Sequence, residues 1–366
     1  MKKVIIASSM IAILLTSCDK NKNEEPDDDN QTTTTYDIPE TYDFKNASGL
    51  STVSYGGQTD RLNQLREMVT YMKTANSQVV NAQQLKDMFA NTNDDGNGHF
   101  TFTSSKQLKS KCFSLDVSFF EDYMDSLELA SNDFQSSASS GQAGVLTSGT
   151  SSYLFTKTGK EPLQFIEKGL MGAVFMYQAL NVYFGDDKMS ADNTSIVDAQ
   201  NGKYYTALEH YWDEAFGYFG VGIDFPSTIP GDFWGKYSNA QDGLLGCNEI
   251  MMYNFKKGRA AISAKISGDK EEPIQLIQNT WEDISANQAI KYLDDANTAF
   301  GNDNARLLHV LSEAYAFTMN LKYCPEETRN MTQTEVQAIL DMFGDNFWDL
   351  SKTNILAIKS ALELKY

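Results

Sequence analysis

The sequence predicts an all-α protein, and three observations carry that prediction. Only seven prolines occur in 366 residues, while Ala, Leu, Met, Gln, Glu and Lys are plentiful. Apolar residues recur at three- and four-residue spacing through most of the chain. No stretch shows a convincing two-residue alternation. Hydrophobic residues make up 41% of the chain, enough for a buried core, which excludes a disordered protein.

The elements follow from local signals. Residues 59–76 put Leu62, Leu65, Met68, Val69 and Met72 on one helical face. Residues 81–89 form a short helix opened by Asn81, a residue suited to the N-cap. Phe119, Phe120, Tyr123 and Leu127 mark a helix over 116–134. Residues 136–152 are rich in Ser and Gly and read as a mobile connection; they lack the GK[ST] ending of a phosphate loop. Residues 161–184 are apolar nearly all round, which predicts a central helix, with Glu167 as a lone acid near Gly169 and Gly172.

Residues 203–219 form the stretch of greatest chemical interest. Tyr204, Leu208, Tyr211, Ala215 and Tyr218 make an apolar stripe. Thr206, His210, Asp213, Glu214 and Gly217 fall opposite, and His210, Asp213 and Glu214 are spaced to converge on one point. Gly220, Gly222 and Pro226 end this helix. One or two helices follow over 232–266, with Lys256–Arg259 (KKGR) read as a solvated turn. Helices over 271–300, 304–323, 332–342 and 354–364 complete the bundle.

The N-terminus carries an address. Lys2 and Lys3 precede an apolar run, residues 4–15, that is too short to span a bilayer as a helix. It ends Leu-Thr-Ser-Cys at Cys18, which resembles the lipobox of bacterial lipoproteins. That resemblance implies cleavage after residue 17, acylation of Cys18, and a membrane partner through the lipid, in the cell envelope at the outer membrane. Residues 18–40 then form an acidic, flexible tether, and residues 36–44, with Tyr36, Ile38, Tyr42 and Phe44, an extended arm on the body.

The net charge is -19, and cleavage would remove two lysines and no acid. A nucleic-acid partner is excluded by this lack of a basic footprint. Cys112, Cys247 and Cys324 have no CxxC neighbour and read as buried thiols. Residues 93–100 (NDDGNGHF) resemble the front of a calcium loop, but Ser104 stands where the bidentate acid would be needed, so they read as an Asx/Gly turn.

The candidate metal ligands are His210, Asp213, Glu214, Glu167, His309 and Glu313, with Glu249 as a further acid. Imidazole and carboxylate together suit zinc or iron, and helical bundles hold such ions between facing helices. His309 and Glu313 repeat the one-turn spacing of His210 and Glu214. There is no HExxH, no GxSxG, and no nearby Cys/His pair.

Residues 161–184, ALEHYWDEAFGYFG at 207–220, KGRAAI at 257–262 and HVLSEAYAF at 309–317 resemble an uncharacterised family of Bacteroidetes lipoproteins, itself similar to the imelysin-like proteins. The resemblance implies two packed helical bundles, divided near residues 225–235, and a link with iron uptake. The GxHxxE motif of imelysins falls on His210 and Asp213, with Glu214 beside it and Leu208 in place of the glycine. The function expected is a monomeric, membrane-anchored module that binds a metal ion, divalent or ferric, or a metal carrier. The alternatives are a metallopeptidase of imelysin type and a glycan-binding surface lipoprotein.

Overall fold

The computed structural model describes residues 35–366; the leader, Cys18 and most of the tether lie outside the described residues. The described chain is all-α in character. Its helices are α1 (Gly56–Lys73), α2 (Ala82–Ala90), α3 (Val117–Ser131), α4 (Pro162–Leu170), α5 (Asp186–Met189), α6 (Ala207–Phe219), α7 (Phe233–Leu245), α8 (Cys247–Ser263), α9 (Glu271–Ala299), α10 (Asn304–Asn320), α11 (Gln333–Met342) and α12 (Lys352–Glu363).

Helix α9 is the long strut. Ile274, Ile277, Trp281, Ile284, Tyr292, Leu293 and Ala296 recur along it at helical spacing and are buried. They pack against α8 and α10, and α12 covers a further side. Helix α10 lies in turn on α4, and α3 lies on α4. Three of the helices start on capping boxes: Thr206 with Glu209, Thr332 with Glu335, and Ser351 with Asn354. Asn81 caps α2 as its sequence predicts. Residues 36–366 form one compact unit, and residues 220–232 are a loop between α6 and α7.

The central apolar segment does not remain an α-helix. Beyond α4 it continues as two π-helical runs, Met171–Met176 and Gln178–Tyr183. The structure supplies outside donors to its carbonyls. Asn320 Nδ2 donates to Lys168 O at 3.0 Å, Trp234 Nε1 to Met171 O at 2.8 Å, and the Phe113 amide to Ala173 O at 2.8 Å. These bonds satisfy carbonyls whose intrahelical geometry is loosened, as at other π-bulges. Gly172 and Gly169 make the approach possible: a Cβ on Gly172 would lie 2.0 Å from Asn320 Oδ1, and one on Gly169 2.6 Å from Phe120.

Three readings of the sequence are corrected. Residues 144–155 are a β-hairpin, β1 (Gly144–Ser148) with β2 (Ser151–Phe155), in place of a structureless connection. Residues 203–206 are strand β4 (Lys203–Thr206), paired with β3 (Ile196–Asp198), and the helix starts only at Ala207. Small polar residues at 136–152 and the short length of both hairpins hide the alternation that would mark them. Lys256–Arg259 is no solvated turn. It lies inside α8, with Arg259 fully buried. Gly217 leaves no open space over the polar line of α6, because its missing Cβ admits Tyr55 and Gln58, within 3 Å of where that atom would be.

Helix α8 is seated against α6 by a similar device. A Cβ on Gly258 would lie 2.1 Å from the Trp212 indole, and Trp212 Nε1 donates to Phe255 O at 3.0 Å. Trp212 is wholly buried and cannot retreat. Gly258→Ala is therefore expected to cost about 1–3 kcal/mol by overpacking. Urea denaturation would read this as a lowered midpoint with an unchanged slope; a midpoint equal to wild type would show that the contact is soft.

Candidate functional site

The six predicted ligands fall into three separate places. Asp213 is the first. It does not face His210 but turns into the core, fully buried. Its Oδ1 accepts from Tyr42 OH at 2.8 Å and Arg259 Nε at 2.9 Å, and its Oδ2 from the Ser54 amide at 3.0 Å. Arg259 Nη1 donates to Glu209 Oε1 at 3.0 Å and to Ser263 Oγ. Arg259 Nη2 donates to Thr52 O and Thr52 Oγ1, at 3.0 and 3.1 Å. All five guanidinium N–H groups are thus used. Burial would lower the Arg259 pKa, but the Asp213 and Glu209 carboxylates outweigh it and raise it. This acid has a structural partner set and no spare lone pair aimed at a ligand.

The second place holds His210 and Glu214. His210 Nδ1 lies 3.0 Å from Ser54 O, and since a carbonyl only accepts, Nδ1 is the donor. Nε2 is 3.8 Å from Glu214 Oε2, and Glu214 Oε1 accepts from Gln58 Nε2 at 3.1 Å. The imidazole stacks on Tyr205, with centroids 4.7 Å apart. The strand β4 and the 54–58 segment therefore hold this histidine, not a second ligand helix.

The third place is a cavity of about 500 Å³ walled by α1, α4, α7, α10 and β2. It brings together His309, Glu313 and Glu167, and adds two residues that the sequence reading passed over, Glu161 and Lys168. His309 sits between two carboxylates: Nδ1 is 2.6 Å from Glu161 Oε2, and Nε2 is 3.2 Å from Glu313 Oε2. Tyr153 of β2 stacks on its face at 4.2 Å. Burial alone would lower its pKa. The Glu161 charge and the hydrogen bonds to Glu161 and Glu313 overcome that, raising it to about 10. Glu313 also accepts from Tyr292 OH at 3.0 Å. Burial would raise the Glu313 pKa, yet His309 and Lys168 hold it below the usual value. Lys168 Nζ is 2.7 Å from Glu167 Oε1, and both side chains are nearly buried.

The chemistry of this cavity is that of fixed charges. An imidazolium with both nitrogens donating has no lone pair for a metal. Among the described residues, no group of three or more His, Cys, Asp or Glu side chains is arranged to hold a metal ion. The expected convergence of His210, Asp213 and Glu214 on one point is corrected, because Asp213 turns into the core toward Arg259 while Glu214 alone stays beside His210. Glu249 is exposed on α8, away from these groups. Residues 93–100 form a turn in which Asp95 Oδ1 caps the Gly98 amide at 2.8 Å and Asn97 Nδ2 donates to Asp87 at 2.9 Å. The three cysteines are buried free thiols, as expected.

One sequence signal could have found Lys168. It is a second charge beside Glu167 in a run otherwise apolar on every side, and two adjacent opposite charges in such a run already form a pair. Glu161 had no such signal, because its role depends on a histidine 148 residues away.

The fold and cavity define a helical protein with a charged, open pocket on one side of its core. The chain belongs to the family described as domain of unknown function DUF4856, which it matches over residues 39–366. Comparison with curated proteins finds no match, and comparison with solved structures finds none.

The His309 arrangement generates a pH signature. Its folded pKa is raised above the ordinary 6.5, so its stabilising contribution is fully present below that value and is lost as pH rises toward about 10. His309→Gln removes the cation between two buried carboxylates and is expected to cost about 3–5 kcal/mol near neutral pH. Denaturation from pH 6 to 10 should show wild type losing stability more steeply than the variant. Parallel curves would show that His309 does not carry the charge.

Proposed function

We propose that this protein is an envelope lipoprotein, lipid-anchored through Cys18, that captures a small polar solute in the cavity at His309. The observation that supports this best is the cavity itself. Its about 500 Å³ lies within the range of small-molecule sites, and buried charged groups line it. Such groups are costly to bury and mark functional sites more often than a plain core does. The lipobox resemblance at residues 15–18 supports the anchor. A kinship with Bacteroidetes lipoproteins and with imelysins remains part of the proposal, resting on the motif around His210.

A second reading has its own observation. The His210 Nδ1–H bond to Ser54 O is the kind of outer contact that orients a metal-binding imidazole, and Glu214 Oε2 stands opposite Nε2. A transition-metal ion, iron or zinc, would take Nε2 and Glu214 there. A metallopeptidase centre needs three protein ligands, and this pair supplies two. A glycan-capture role has less support, since most aromatics of α6 are buried in packing.

One experiment separates the readings. Protein purified from envelopes is denatured, and the released solutes and metals are measured. Wild type should release a small polar solute that Ser152→Trp, which plugs the mouth from β2, does not. Equal release by both would overturn the pocket reading. Metal retained after reconstitution with iron or zinc and lost in His210→Ala would support the second reading, while a metal-free wild type would end it. For the anchor, Cys18→Ser should move the protein from the membrane to the soluble fraction; a variant still sedimenting with membranes would refute lipidation.

A further inference from the structure

The cavity separates its charges by depth. The inner wall is buried: Glu161, Glu167 and Glu313 are each less than a tenth exposed, and so are Gln164 and Lys168. Three carboxylates there face two cations, Lys168 and the His309 imidazolium, so the inner wall retains a negative charge. The rim is exposed and opposite in sign. Arg66, Lys73 and Lys236 stand there with a single acid, Asp232, which Arg66 engages at 2.5 Å.

Two inner polar groups are left over, the Tyr237 hydroxyl and Gln164. Gln164 is buried, and its Nε2 donates to Glu161 Oε1 at 3.3 Å. That bond fixes the amide, because a carboxylate accepts and only the nitrogen can donate. Gln164 Oε1 is then a buried acceptor with no partner among the described residues. An unpaired buried acceptor is unfavourable, and a donor from a ligand reaching it would relieve that cost. The wall that holds it offers further acceptors in Glu161 and Glu167, so it asks for a group rich in N–H donors and positive in charge. The rim asks for an anion. Tyr153, Phe233 and Tyr237 supply apolar surface between the two.

We propose that the pocket takes a zwitterion of the amino-acid and short-peptide class, its ammonium group inward at Gln164, Glu161 and Glu167, and its carboxylate outward at Lys73 and Lys236. This assignment rests on the pocket reading given above. It explains why a chain of net charge -19 keeps a basic rim at this cavity: the rim selects the outer end of the ligand. It also explains the deep ion pairs. They fix Glu161 and Glu167 in place, so that the net negative charge is presented without reorganisation.

The test uses trialanine, its N-acetyl form and its C-terminal amide, titrated calorimetrically into the intact described body, with free L-alanine as a parallel arm. Trialanine should bind, and each blocked form should bind about tenfold more weakly, since each loses a charge-assisted hydrogen bond. Gln164→Leu should weaken trialanine while leaving the N-acetyl form unchanged. Lys73→Gln with Lys236→Gln should weaken trialanine while leaving the amide unchanged. L-alanine binding as tightly as trialanine would keep the zwitterion and show that both charges lie within one residue's span. N-acetyl-trialanine or the amide binding as tightly as trialanine would overturn the proposal, as would no binding of trialanine or L-alanine to wild type. The pocket reading would survive that result if wild type still released a solute that Ser152→Trp lacked.

Discussion

The buried guanidinium of Arg259 is the interaction on which the rest of the structure depends. It is wholly enclosed, and its five N–H groups meet acceptors from three parts of the chain. Asp213 and Glu209 come from α6, Ser263 from its own α8, and Thr52 from the N-terminal arm. Phe44 of that arm also lies on the guanidinium, 4.9 Å from its centre. Burying a charge this deeply is unfavourable unless partners are complete, and removing one member of such a set typically costs about 3–5 kcal/mol. The arm therefore docks because the ion network needs it. Tyr42 shows the same logic: its ring stacks on Phe216 at 3.7 Å, and its hydroxyl bonds Asp213.

Docking of the arm sets the environment of His210. Ser54 donates its amide to Asp213 and accepts from His210 Nδ1, so one backbone unit links the buried network to the exposed edge of α6. Gly217 lets Tyr55 and Gln58 approach, which brings the Gln58 amide to Glu214. Asp213 and Glu214 are adjacent in sequence yet serve opposite ends of this arrangement. The first is consumed by folding, and the second remains near solvent beside the His210 imidazole.

Much of this was legible in the sequence, and the exceptions have physical reasons. Helical periodicity placed α1, α9, α10 and the core faces of most other helices, because burial of an apolar stripe is a local signal. The identity of Glu167, His309 and Glu313 as special groups was legible because acids and histidines stand out in apolar runs. Their assembly into one pocket was not, since α4 and α10 meet through packing that no spacing rule encodes. Arg259 was misread for a related reason. In KKGR three cations flank a glycine, which looks solvated, whereas the glycine is there for Trp212 and the arginine for two carboxylates some fifty residues earlier. The π-helical turns were equally invisible, because their cause lies in donors brought by Asn320, Trp234 and Phe113.

The two charged regions differ in what they leave unsatisfied, and that difference is why the proposed ligand is placed at one of them. Around Arg259 every guanidinium donor has an acceptor, so its hydrogen bonding is closed, although two carboxylates face the one cation. In the cavity at His309 the imidazolium is matched on both sides and the carboxylates again exceed the cations by one, but here Gln164 also keeps an acceptor without a donor. A folding core has no reason to retain such a mismatch next to an opening, because an apolar replacement of similar volume would stabilise the fold at least as well. On the proposed pocket reading, a ligand entering from outside would complete it. Closure at Arg259 thus marks structure, and incompleteness at Gln164 marks the place where a ligand would finish the arrangement.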